Sequence, residues 1–299
     1  MRGSAHARRW VNRVRDNGFA TSGHKIHNER GDMARGRIIV TGASTGIGEA
    51  TARRLVAEGF DVVATARREE RLRELSRQTG CEFHAADLTD EADVERLVEY
   101  ATARGKVTGL VNNAGGAIGV DSVADGDPAA WLGMYEKNVL ATLRLTKGLV
   151  PHLRESGGDV VFVTSMAAFE IYPGGAGYVA AKHAERVLAR TLRLELLGEP
   201  VRVIEVAPGL VKTEEFSLNR LGDAQRAQAV YAGVEGPLLA DDVADVIAWA
   251  LTRPLHVNID LVRVMPRNQS DARTLVRDSD ADGALPVSSL ETGRAADDE

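Results

Sequence analysis

With 299 residues, 44% of them hydrophobic, the chain carries enough apolar material for a full core. A net charge of −6 excludes the strongly basic surface that nucleic-acid binding calls for. No apolar run approaches the ~18 residues of a membrane helix, and the single cysteine, Cys81, has no internal disulfide partner, which fits a cytoplasmic, non-secreted protein.

Residues 1–34 are rich in Arg, His, Asn and Gly without sustained periodicity, and are expected to be a disordered extension rather than a nucleic-acid arm or leader. From residue 35 a regular alternation begins. Short β-branched runs occur at 37–41, 60–65, 108–111, 159–164 and 201–207, with a weaker run at 81–86 and a last one at 258–265. Between them lie stretches with helical spacing, at 46–58, 68–78, 90–103, 128–154, 178–197 and 240–252. Nearly continuous apolar strands separated by helices imply an α/β domain. Its doubly wound parallel sheet would have about seven strands, covered on both faces and joined by right-handed crossovers. One domain over 35–270 is expected, followed by a solvated acidic tail over 271–299.

The first strand runs into Thr41-Gly-Ala-Ser-Thr-Gly-Ile-Gly48 and then a helix. Gly42, Gly46 and Gly48 let the backbone turn sharply and approach a ligand closely. The amides of Ser44, Thr45, Gly46 and Ile47 then face a pyrophosphate at a helix N-terminus, whose dipole favours negative charge. About twenty residues on, an NAD site usually carries an acid for the ribose hydroxyl. Ala66 stands there instead, followed by Arg67 and Arg68, which suit the 2′-phosphate of NADP(H).

Ser165 follows the strand at 159–164, at the carboxyl end where open α/β sheets bind ligands. Tyr178 and Lys182 are four residues apart at the start of a helix and share one face. A free phenol titrates near 10, and moving it to ~7 takes about 4 kcal/mol of preferential phenolate stabilisation. A neighbouring ammonium acts in that direction.

Taken together these motifs resemble the short-chain dehydrogenase/reductase family over residues 35–268. The residues carrying the resemblance are the loop at 41–48, Asp87-Leu88, Asn112-Asn-Ala-Gly115, Ser165, the Tyr-x3-Lys at 178–182, and Pro208-Gly209 with Thr213. The resemblance implies a Rossmann fold and an oxidoreductase acting on CH-OH groups. Tyr178 would be its acid/base, Ser165 would hold the substrate oxygen, and Lys182 would lower the Tyr178 pKa and bind the nicotinamide ribose. Asn138 would anchor a relay water. Asp87 and Leu88 would border the adenine, and Asn113 would touch the adenosine side. The stretch Pro208–Thr213, with Gly209 and Val211, would hold the nicotinamide amide. Asn112 is expected to brace the sheet instead.

A narrower resemblance, to the NADP-dependent 3-hydroxy acid dehydrogenases, rests on Pro208–Ser217, Pro254–Ile259, Met265-Pro266 and Gln269-Ser270. It implies substrates such as serine or allo-threonine, with Arg220 the candidate for the carboxylate. The wall at 166–173 departs from that subgroup and is more apolar, which keeps a bulkier 3-oxo or aldehyde substrate as the alternative. A non-catalytic NADP-sensing protein is the alternative of another class, disfavoured because Asn138, Ser165, Tyr178 and Lys182 are all present. A specificity lid is expected at 212–236. The family also implies a homodimer or homotetramer through the helices at 128–154 and 178–197; no metal is expected, because nothing completes a site around Cys81 and His84.

Overall fold

The computed structural model describes residues 35–278, except residue 273. The extension expected at 1–34 and the residues from 279 onward lie outside them.

β1 (Arg35–Thr41), β2 (Phe60–Ala66), β3 (Glu82–Ala85), β4 (Val107–Asn112), β5 (Asp159–Val163), β6 (Arg202–Pro208) and β9 (Leu261–Val264) form one sheet, in the order β3-β2-β1-β4-β5-β6-β9. Every pairing in it is parallel. Period-two alternation sends neighbouring side chains to opposite faces. Ile38 and Val40 join Val62, Val161 and Ile204 on one face, under α1 (Gly46–Ala57), α2 (Glu69–Thr79) and α9 (Ala240–Leu251). Ile39 joins Val63, Leu110, Val160 and Phe162 on the other. That face lies under α3 (Glu91–Ala103), α5 (Ala141–Ser156) and α6 (Ala176–Glu195). Burial on both faces explains why these strands read as continuous apolar runs.

Strand order reverses between β1 and β4, so their crossovers leave on opposite faces and open a crevice at the carboxyl ends. The glycine turn and Asn113 both emerge there.

The helix expected over 128–154 is not continuous. It consists of α4 (Pro128–Tyr135), a π-turn (Glu136–Leu140) and α5. The cause is Asn138, whose side-chain amide donates to the Met134 carbonyl at 2.7 Å and to Gly116 O at 2.9 Å. The Met134 carbonyl is the one that a regular turn would offer to the Asn138 N–H. Such π-bulges concentrate at functional sites.

The segment expected to be a lid is tied at its base by a two-residue parallel ribbon, β7 (Val211–Lys212) with β8 (Leu238–Leu239). Between them stand α7 (Phe216–Leu221) and α8 (Ala224–Ala229), the latter capped by Asp223. Ordered chain also continues beyond 270, where a solvated tail was expected. Ser270 N–H donates to Thr274 O at 3.1 Å, Val276 N–H to Asn268 O at 2.9 Å, and Asp278 N–H to Gly233 O at 2.8 Å. Polar composition signals that a segment has little to bury, but it cannot show that its backbone groups find partners.

Candidate active site

The glycine turn brings α1 into the crevice. Gly42 and Gly46 adopt φ of 66° and 55°, the left-handed region that glycine tolerates best. A Cβ on Gly48 would sit 2.3 Å from the carbonyl oxygen of Gly42, so the turn closes only around a hydrogen at that position. Thr45, the N-cap of α1, makes no side-chain capping bond, and its hydroxyl is buried without a partner. The α1 amides are therefore left for a ligand. A Gly48→Ala variant is expected to weaken NADPH binding about 10- to 100-fold, the cost of overpacking against backbone. NADPH fluorescence titration measures this, and unchanged affinity would contradict it.

Thr41 and Asn113 lock the two halves of the crevice together. Asn113 and Ala114 N–H both donate to Thr41 Oγ1 at 2.9 Å, and the Asn113 amide donates to Thr41 O at 2.9 Å. Asn112 points away and donates to Thr146 Oγ1 at 3.0 Å, bracing the sheet against α5.

At the end of β2 the Arg68 guanidinium reaches Ser44 Oγ at 3.0 and 3.3 Å and pairs with Glu215. Arg67 is exposed on the same rim. Asp87 takes the Thr89 N–H at 3.0 Å and Thr89 hydroxyl at 2.8 Å, fixing the loop that carries Leu88.

Ser165 caps a short 3-10 turn (Met166–Ala168) and accepts the Ala167 N–H at 3.1 Å. Tyr178 is buried at the start of α6, where Phe216 meets its ring edge-on at 5.7 Å. Burial pushes the phenol above its ordinary value, and the nearby Tyr172 and Glu185 add to this. Lys182 and the hydrogen bond with Ser165 act against it and are outweighed. Lys182 acts on the phenol in the direction expected, while in the free protein desolvation of the phenolate outweighs it.

Lys182 donates to Val163 O at 3.2 Å and to Glu185 Oε2 at 2.6 Å, and both side chains of that pair are buried. Burial alone would lower the Lys182 ammonium, but Glu185 and Tyr178 more than compensate and raise it. Asn138, fully buried in the π-turn, accepts the Gly116 N–H at 3.1 Å. A Cβ on Gly115 would lie 2.5 Å from Asn138 Oδ1 and 3.6 Å from Lys182 Nζ, so the two side chains converge on one small space.

One cleft of about 710 Å³ joins these groups. Gly42, Ser44, Thr45, Gly46, Ile47, Arg67, Arg68, Asp87, Leu88 and Asn113 line one part. Ser165, Tyr178, Lys182, Pro208, Gly209, Val211 and Thr213 line the other. Gly48 and Asn138 stand behind the lining rather than in it.

Other cleft residues come from the lid and from the segments that carried the narrower resemblance. Phe216, Ser217, Asn219 and Arg220 enter from the lid, and Gln269 arrives from beyond β9, where its Oε1 accepts the Leu210 N–H at 2.8 Å. Within the wall at 166–173, only Met166, Ala167 and Tyr172 face the cleft. Glu170 turns away, pairs with Arg263 at 2.8 Å and accepts the Ala272 N–H at 2.6 Å.

The chain is similar to known proteins over most of its length. Residues 37–221 match the short chain dehydrogenase family. An uncharacterized oxidoreductase of Mycobacterium tuberculosis is 58% identical over 236 residues, covering 78% of this chain and 92% of that one. A serine 3-dehydrogenase of Agrobacterium fabrum is 41% identical over 241 residues, covering 79% and 96%. Among solved structures, the closed form of serine dehydrogenase complexed with NADP+ superposes with a TM-score of 0.76 at 34% identity, covering 81% of this chain and 99% of that one. The chain therefore belongs to the short-chain dehydrogenase family of oxidoreductases.

Proposed function

We propose that the chain interconverts a hydroxyl and a carbonyl group with NADP(H), and that its substrate is a small 3-hydroxy acid. The observation that carries this reading is the meeting of a buried phenol, an ammonium and an acid-free guanidinium at one cleft. Arg220 donates from Nε to Gly119 O at 3.1 Å, from Nη2 to Gly174 O at 3.2 Å, and from Nη1 toward Tyr172 Oη at 3.4 Å. Among the described residues no carboxylate pairs with it, and its guanidinium carbon lies 5.7 Å from the Tyr178 ring centre. A positive charge held by neutral carbonyls beside the acid/base suits an anionic substrate.

Several features fit the dinucleotide. The α1 amides are uncapped, the Thr45 and Thr213 hydroxyls are buried without partners, and Arg68, held by Ser44 at the end of β2, suits a 2′-phosphate. NADP(H) supplies the hydride. Gly42, Ser44, Thr45, Gly46 and Ile47 hold the pyrophosphate, with Gly48 shaping the turn. Arg67 and Arg68 hold the 2′-phosphate, Asp87 and Leu88 border the adenine, and Asn113 borders the adenosine. Pro208, Gly209, Val211 and Thr213 hold the nicotinamide amide. Ser165 donates to the substrate oxygen, and Tyr178 gives that oxygen a proton in reduction or removes it in oxidation. Lys182 keeps the phenolate form accessible and binds the ribose. Asn138 orders a relay water near Lys182.

Arg220→Met tests the substrate class. Loss of one charge-assisted contact, about 1.5–3 kcal/mol, should raise KM for 3-hydroxyisobutyrate about 10- to 100-fold. Its uncharged methyl ester should be turned over as by the wild type. Equal losses on acid and ester would remove the carboxylate role. Serine and allo-threonine complete the screen, and no turnover on all three acids favours the bulkier 3-oxo or aldehyde class.

Exposed Leu132 and Leu143 on the 128–156 segment, and Val187 and Leu194 on α6, support a homodimer or homotetramer. Light scattering tests it, and a monomer at micromolar concentration would overturn it. Among the described residues no helix is long and apolar enough to cross a membrane. The lone cysteine, free and buried, supports a cytoplasmic enzyme.

A further inference from the structure

Where β6 ends, the chain must keep its backbone groups partnered while it leaves the sheet to form the loop 208–213. Gly209 N–H still donates to β9, at 2.7 Å from Val264 O, and farther on Val211 and Lys212 pair with β8. Leu210 falls between these two supports. Its carbonyl accepts the Leu238 N–H at 3.1 Å, but β9 ends at Val264 and offers nothing to its N–H. A side chain takes the place of the missing strand: Gln269 Oε1 accepts the Leu210 N–H at 2.8 Å.

Gln269 fits this place closely. A Cβ on Gly209 would lie 2.4 Å from Gln269 Oε1 and 3.3 Å from Pro266 Cδ, so the loop presents bare backbone where the amide comes in. The nitrogen end of that amide is engaged as well, with Nε2 donating to Asp271 O at 3.0 Å. The same side chain lines the cleft.

A group that positions another must itself be held. The segment carrying Gln269 turns at Pro266, whose carbonyl accepts the Gln269 N–H at 3.0 Å, and Gln269 forms an antiparallel bridge with Leu275. Farther along, Arg277 Nη2 donates to Val230 O at 3.1 Å and Asp278 N–H to Gly233 O at 2.8 Å. One end of the segment therefore grips the loop 208–213, and the other grips the lid.

We propose that Gln269 is a positioning residue that sets the loop 208–213 against the nicotinamide end of NADP(H). This inference rests on the reading that this loop holds the nicotinamide amide. Hydride transfer depends steeply on placement, and a displacement of about 1 Å can cost about 100-fold in rate. Without the Gln269 amide the Leu210 N–H loses its partner, and it regains one only by taking water or by moving the loop. The adenosine half of the cofactor is served by α1 and the rim after β2, which Gln269 does not touch.

Gln269→Leu in the full chain tests this with two ligands. NADPH fluorescence titration reads the whole cofactor, and calorimetry with adenosine 2′,5′-bisphosphate reads a ligand that lacks the nicotinamide. The variant should bind NADPH about 5- to 30-fold more weakly, as for a lost hydrogen bond whose donor is left unpaired, and the bisphosphate within about two-fold of the wild type. Its kcat for a carbonyl substrate should fall about 10- to 100-fold.

A residue that only stabilises the C-terminal segment would change neither affinity or change both alike, and either result overturns the proposal. Should Gln269→Leu fail to fold, Gln269→Met keeps the length of the side chain and should separate the two ligands in the same way. Thr213→Val distinguishes the proposal from the reading beneath it, because it removes a hydroxyl of the loop itself that is buried without a partner. If Thr213→Val weakens NADPH alone and Gln269→Leu does not, the role of Gln269 is wrong and the loop reading stands. If neither variant separates the two ligands, the loop reading fails and the proposal falls with it.

Discussion

A Tyr178→Phe variant should fold, bind NADPH as tightly as the wild type, and lose turnover by a factor of about 10²–10⁴, the usual contribution of a positioned acid/base. The substitution removes one oxygen and nothing else. The edge-on contact with Phe216 and the packing of the ring beside Met134, Val139 and Val179 all persist. The lost atom is the hydroxyl on which Lys182 and Ser165 act electrostatically. In reduction, the developing alkoxide would then have to draw its proton from water rather than from a positioned acid. Steady-state NADPH oxidation with a carbonyl substrate, beside fluorescence titration of the cofactor, separates chemistry from binding. Wild-type turnover in the variant would remove Tyr178 from the reaction and leave the cleft a binding site.

The second large effect concerns cofactor choice. Replacing both arginines, Arg67→Ala with Arg68→Ala, should raise KM for NADP(H) about 10- to 100-fold and leave KM for NAD(H) within about two-fold. Charge-assisted bonds are worth about 1.5–3 kcal/mol, and the lower part of that range applies because both guanidinium groups stand partly in solvent. Arg68 is the better placed, since Ser44 Oγ holds it at 3.0 Å over the turn. Its ion pair with Glu215 of the lid segment is one that a 2′-phosphate would compete with. Steady-state kinetics with both dinucleotides measures the ratio, and equal losses on both would show that the arginines serve the rim in general rather than the 2′-phosphate.

The cofactor half of the cleft was the more legible half. The glycine turn, Arg67-Arg68 after β2, and Asp87-Leu88 after β3 are each local: a strand ends, the chain turns, and the ligand-facing groups lie within a few residues. The same holds for Tyr178 and Lys182, because helical geometry alone puts residues four apart on one face. The substrate half was harder to read. Arg220 lies 42 positions from Tyr178 in the chain, and only the path of α7 across the cleft brings its guanidinium near the phenol ring. Gln269 reaches the backbone of Leu210 from the far side of β9. In the wall at 166–173, composition suggested an apolar lining, yet Phe169, Glu170 and Ile171 do not line the cleft.

Local spacing by itself determined the alternation of strands and helices, the sharp glycine turn and the pairing of Tyr178 with Lys182, because each depends on backbone geometry over a single turn or helix. Tertiary structure alone decided the electrostatics. Whether Lys182 lowers the phenol depends on how much water the fold removes from Tyr178, and an ordinary-looking lysine–glutamate spacing became a buried ion pair only because α6 packs against the sheet. The π-turn at Asn138 has the same origin, since the loop carrying Gly116 must arrive before the side chain can take a helical carbonyl for itself. Charge burial and side-chain competition for backbone are properties of the packed molecule, and no periodicity along the chain encodes them.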